Sequence, residues 1–140
     1  MPIPAFSPAW ADALRDAVNS DEAFREAGRK WTNPVALIVT AHAARPDGVA
    51  VQVDLEAGTC TAAAALRPDD VTAPFVLSAS LETWREIMEG ETDPIAAVSR
   101  GRVAVTRGSL SLLMLSAGTA RALLASTRKI DTLWPGSQPE

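Results

Sequence analysis

The sequence predicts an α+β fold: a five-stranded, mostly antiparallel sheet covered by helices. Three observations predict it. Residues 35–66 hold three β-rich runs separated by turn residues, the pattern of a meander. Residues 7–31 and 109–130 instead carry apolar side chains at helical spacing. Residues 75–108 hold a strand, two short helices and a strand. Strands and helices are segregated rather than strictly alternating, which favours α+β over a doubly wound α/β class.

A chain of 140 residues with no linker or internal repeat reads as one domain. Its parts are N-terminal helices over about 7–31, sheet and helices over about 34–130, and a tail over 131–140. This length buries roughly 70% of the unfolded surface, so neither disulfide nor metal is needed to hold the fold. The net charge of −4 disfavours a nucleic-acid partner. It also disfavours strong attraction to anionic membranes, although a local basic patch is compatible with it. Cys60 is the only cysteine, so no intrachain disulfide forms and a reducing compartment is expected. The first ten residues lack a basic start followed by an apolar run. No stretch approaches 18 uninterrupted apolar residues, so no stable membrane insertion is expected. A cytoplasmic location follows as the expectation.

Ser7-Pro8 starts the first helix: Ser7 caps, and Pro8 loses no needed hydrogen bond at the first position. Trp10, Leu14, Ala17 and Val18 share its apolar face. Ser20 is placed to cap a second helix, with Phe24, Ala27 and Trp31 as its stripe and Gly28 as its stop. Asn33-Pro34 ends the helical region. Val35 to Ala43 reads as the first strand of the meander and Val49 to Ala57 as the second. A three-residue loop at Pro46, Asp47 and Gly48 would set Val39, Ala41 and Ala43 opposite Leu55, Val53 and Val51, apolar on apolar. Ala57-Gly58 turns into the third strand, Thr59 to Leu66, pairing Leu55 with Cys60 and Val53 with Ala62.

Phe75 to Ser78 forms the fourth strand. Ser80 caps a helix with the stripe Leu81, Trp84, Ile87 and Met88, stopped by Gly90. Asp93-Pro94 starts a short helix with Ile95 and Val98 turned inward. Gly101 stops it, and Val103 and Val105 mark the fifth strand. Ser109 to Ile130 is an apolar helix with a break expected at Gly118. The tail contains Trp134-Pro135-Gly136 and ends in a stretch expected to be partly disordered.

No catalytic constellation stands out. In the register above, the single histidine, His42, faces Gln52 on the polar face of the sheet, whereas Cys60 lies on the apolar face. A Cys-His nucleophile pair needs hydrogen-bond contact, and this placement denies it. No ligand spacing suits zinc or iron, and no phosphate-binding glycine motif occurs, so no metal, no cofactor and no enzymatic activity are expected. Glu82, Glu86 and Glu89 read as a solvated helix face beside Arg85. Arg100, Arg102 and Arg107 bracket the fifth strand; they suit either an anionic headgroup or, preferably, a charged edge that discourages strand addition. Trp84, Met88 and Met114 at helical spacing fit a plain core. The small side chains of TCTAAAAL leave room for a close-packed helix or for a cavity.

Phe75 to Thr106 resembles the sterol carrier protein 2 family. The residues that carry the resemblance are Trp84, Ile87, Gly90, Asp93-Pro94-Ile95 and Gly101-Arg102-Val103-Ala104-Val105. Helices before the meander and an apolar helix at the end follow the same order of elements. One departure is local: the family usually follows this strand with Gly-Asp or Gly-Asn. Here Thr106-Arg107-Gly108-Ser109 is offset by one, with no acid after the glycine. The resemblance implies a lipid-binding or carrier domain holding a fatty acid, acyl-CoA, sterol or phospholipid in an apolar tunnel. Its walls would be Phe75, Leu77, Trp84, Met88, Ile95, Val98, Val103, Val105, Leu112, Leu113 and Leu115. The alternative is a closed-core domain that docks on a partner enzyme; a homodimer fits either reading.

Overall fold

The computed structural model describes residues 2–41 and 46–134. The elements are β1 (Ile3–Pro4), α1 (Pro8–Asn19), α2 (Glu22–Ala27), β2 (Val35–Val39), β3 (Val49–Glu56), β4 (Thr59–Leu66), β5 (Phe75–Ala79), α3 (Leu81–Met88), α4 (Pro94–Ser99), β6 (Val103–Arg107), α5 (Leu110–Leu115), α6 (Ala117–Ser126) and β7 (Thr132–Leu133). Short 3-10 turns sit at Pro68–Asp70 and Thr127–Lys129. Five strands form one sheet in the order β4-β3-β2-β5-β6, with β2 and β5 parallel and the other pairs antiparallel. The α+β architecture is therefore the expected one.

Period-two alternation gives the sheet two unequal faces. Val35, Leu37 and Val39 of β2, Val51 and Val53 of β3, and Phe75 and Leu77 of β5 join the helices in the large core. The opposite face carries a small cluster of Ala36, Ala50 and Val76, covered by Val71 and Ala73. Gln52 pins that covering segment: its Oε1 accepts from the backbone N–H groups of Thr72 and Ala73, both at 3.0 Å.

Five expectations need correction. First, β2 stops at Val39, and Val39 faces Val49, so the register is shifted by six residues from the one expected. The parity survives, so apolar residues still oppose apolar ones. The limit is set by β5, which pairs with β2 from Val35 to Val39 and ends where Ser80 caps α3. Gln52 consequently lies opposite Ala36, not His42; His42, Ala43 and Arg45 fall outside the described residues. Second, Leu55 does face Cys60, but an irregularity at Asp54/Leu55 places Ala63, not Ala62, opposite Val53.

Third, Asp21 rather than Ser20 caps α2, accepting from the N–H groups of Ala23 and Phe24, while Ser20 ends α1. Within α2 the stripe is narrower than expected: Phe24 is buried, but Ala27 is exposed. Fourth, the last helix breaks at Ser116 rather than Gly118. Fifth, the segment after it adds a strand: β7 pairs in parallel with β1, and Trp134 is buried. Trp10 fixes that junction, with Nε1 donating to Thr132 Oγ1 at 3.0 Å. The end of the tail, residues 135–140, lies outside the described residues.

Candidate functional site

The large core is not uniformly closed. Between the sheet and α5–α6 lies a cavity of about 30 Å³, with Trp31, Val35, Leu37, Leu55, Phe75 and Leu77 below and Leu113, Ala120, Leu123 and Leu124 above. A second space of about 10 Å³ continues towards α3 and α4, walled by Leu77, Trp84, Pro94, Ile95, Val98, Val103 and Leu113. Leu77, Leu113, Ala120 and Leu124 border both. The two spaces are therefore neighbours along one apolar seam under the C-terminal helices. Its dimensions are those of a water molecule, not of an acyl chain.

The elements that roof the seam differ in anchorage. α6 is tied by side chains at three points. Thr119 Oγ1 donates to Ala27 O at 2.6 Å. Arg121 grips Asp93, the cap of α4, with Nε 2.7 Å from Oδ1. Ser126 Oγ donates to Asp21 Oδ2 at 2.8 Å. Among the described residues, no side-chain hydrogen bond links α5 to another element; Ser109 Oγ only caps its own first turn through Leu112 N. Of the six residues of α5, Leu113 alone is buried. Leu110 and Leu115 are 51% and 87% exposed.

Of the wall residues expected from sequence, Phe75, Leu77, Trp84, Ile95, Val98, Val103 and Leu113 border the seam. Trp84 is fully buried, and its Nε1 donates to Ile38 O at 2.9 Å, so the ring is fixed as part of the scaffold. Met88 is buried but faces a groove against the C-terminal segment. Val105 packs on the core opposite Leu77. Leu112 and Leu115 line a groove on the outside of α5. The floor from β2 and β3 was not singled out beforehand. Its signal is the shared inward parity of Val35, Leu37 and Leu55, which marks core and cavity alike. Trp31 closes one end, its ring edge-on to Phe75 with centroids 5.5 Å apart.

Several charged groups near the seam are engaged in structure. Glu86 is not merely solvated: Arg102 reaches it with both terminal nitrogens, at 3.0 and 3.1 Å, and also donates to Thr83. The Arg102 hydrogen bonds hold the Glu86 carboxyl below its usual range, more than offsetting desolvation. Arg121 does the same for Asp93. Arg107 Nη1 donates to the carbonyls of Val71 and Ala73, bolting β6 to the covering segment of the far face. Arg100 is exposed. Cys60 is buried with its thiol pushed up to about 11 by desolvation, the opposite of an activated nucleophile. Among the described residues, no group of three or more His, Cys, Asp or Glu side chains could hold a metal.

These features define a small α+β domain built around an apolar seam beneath its C-terminal helices. The chain belongs to the sterol carrier protein 2 family. It superposes on a crystal structure of sterol carrier protein 2 with a TM-score of 0.86 at 36% identity, over 90% of this chain and 98% of that one. A conserved hypothetical protein from Thermus thermophilus, described as possibly a sterol carrier protein, matches with a TM-score of 0.84 at 35% identity, over 95% and 93% of the two chains. The apo form of sterol carrier protein 2 from Yarrowia lipolytica shares the fold at 15% identity and a TM-score of 0.56, over 84% and 88%. No protein-family model and no curated protein matches the sequence.

Proposed function

We propose that this chain is a non-enzymatic lipid-binding domain that takes an acyl chain into the seam between the sheet and α5–α6. The observation that carries the proposal is the contrast in the roof. α6 is bolted at three points, whereas α5 closes the same seam with one buried leucine. The family and the names of its 35–36% identical relatives support the ligand class. A straight chain suits a seam this narrow better than a rigid ring system does, so a fatty acid or acyl-CoA is preferred over a sterol.

Native mass spectrometry of the protein mixed with fatty acids, acyl-CoAs and sterols tests the reading. The expected result is a one-to-one adduct with acyl ligands, reduced in Ala120→Phe, which fills the seam from α6. No adduct with any ligand, or full uptake by Ala120→Phe, overturns it. The seam's 30 Å³ favours one competing reading, a closed-core domain that docks on a partner protein. An empty ligand panel together with a stable protein complex would select that reading.

A further inference from the structure

We propose that α5 is also a docking element, which seats the protein on an anionic lipid bilayer; this rests on the acyl-binding reading above. Residues 108–120 contain no charged side chain. Within them α5 presents Leu110, Leu112, Met114 and Leu115 to solvent and buries only Leu113. These four are all the exposed large hydrophobic side chains among the described residues. A helix that is apolar nearly all round needs a cover.

Two features select a bilayer as that cover. The first is charge. The groove outside α5 is walled by Leu112 and Leu115 on one side and by Arg29 and Lys30 on the other, with Glu26 3.6 Å from Arg29. The rim is cationic on balance, in a chain whose net charge is −4. Leucines flanked by cations match the acyl and headgroup layers of an anionic membrane. The second is area. Six residues offer far less than the roughly 800 Å² per partner of a stable protein interface. A fluid bilayer accepts protruding side chains without a complementary shape. Trp31, Ser116 and Thr119 border both this groove and the seam, so docking here would bring the bilayer to the end of the candidate site.

Sedimentation with phosphatidylcholine vesicles, with and without phosphatidylglycerol, tests the proposal. Binding is expected with phosphatidylglycerol and should fall as salt rises. Leu110→Ser and Leu115→Ser should each weaken it about tenfold or more, and Lys30→Glu about tenfold. Their melting temperatures should not change, because these side chains are exposed. No binding to either vesicle, or equal binding by Leu115→Ser, overturns the assignment. So does concentration-dependent dimerisation that Leu115→Ser abolishes, which would give α5 to a second copy. Fatty-acid uptake separates the two readings. Lys30→Glu should show the weakened vesicle binding and keep uptake from solution. A wild-type protein that docks without any uptake would sink the seam reading and leave the docking surface standing.

Discussion

Substituting Gly108 by alanine should destabilise the fold more than substituting Gly101, and the difference isolates one contact. Both residues have left-handed backbones, with φ of 99° at Gly108 and 78° at Gly101. Forcing an L side chain there costs roughly 1–2 kcal/mol, partly offset by about 0.4–1 kcal/mol from stiffening the unfolded chain. At Gly101 a Cβ would meet nothing within 4 Å. At Gly108 it would stand 2.6 Å from Cδ2 of Phe75, a buried ring on the seam floor. Relieving that overlap adds typically about 1–3 kcal/mol. The totals are about 1 kcal/mol for Gly101→Ala and about 2–4 kcal/mol for Gly108→Ala. Urea unfolding followed by tryptophan fluorescence reads both. With a slope of about 1.5–2 kcal/mol/M, the midpoint should drop by about 1–2.7 M for Gly108→Ala and by about 0.5–0.7 M for Gly101→Ala. Phe75→Leu should couple to Gly108→Ala by roughly 1 kcal/mol or more and not to Gly101→Ala. Equal midpoints for the two alanine variants would refute the close approach of Gly108 to Phe75.

Acid should destabilise the protein through its paired carboxylates. Glu86 and Asp93 lie below their usual 4.5 and 3.8 in the folded state, so their contribution is present above those values and lost as pH falls through the lower folded ones. A stability–pH profile should decline there, and less steeply in Arg102→Gln; an unchanged slope in that variant would break the link. Asn19 should matter to the exposed sheet edge. Its side chain donates to Cys60 O at 2.9 Å and accepts from Cys60 N at 2.7 Å, standing in for a missing strand beside β4. Asn19→Ala should cost about 1–2 kcal/mol and lower Tm by about 3–6 °C, and an unaltered melt would reject that role.

Local chemistry was legible where one residue decides the structure. Ser7-Pro8, Ser80 and Asp93-Pro94 each cap the helix expected of them, and Thr59–Leu66 has the strand boundaries read from sequence. What escaped was decided by partners distant in the chain. The end of β2 is set by β5, about forty residues on, so no loop-length argument within residues 39–49 could find it. Asp21 displaces Ser20 as a cap partly because Ser126, from α6, donates to the same carboxylate. The strand pair β1–β7 joins residues 3–4 to residues 132–133, two dipeptides too short to carry a period. The seam was half legible for a related reason. Helical spacing marks Trp84, Ile95 and Leu113 as inward, yet it cannot distinguish a filled interior from one with space beside Ala120.

The uneven roof also bears on how the proposed ligand would bind. Lifting α5 exposes one buried leucine, at a cost of about 1.5–3 kcal/mol, because no side-chain hydrogen bond to another described element has to break. That corresponds to an open population on the order of 1–10%. Lifting α6 would break the bonds to Ala27, Asp93 and Asp21 together and expose Leu123 and Leu124 as well. The break at Ser116 therefore falls at the boundary between a cover that opens cheaply and a wall that does not. Burying ~300 Å² of acyl surface gives roughly 7 kcal/mol gross. For the proposed ligand, the opening cost would lower apparent affinity by about 10- to 100-fold. On the proposed reading, an acyl ligand entering under α5 would be held weakly and exchanged readily, the behaviour a carrier requires and a storage protein does not.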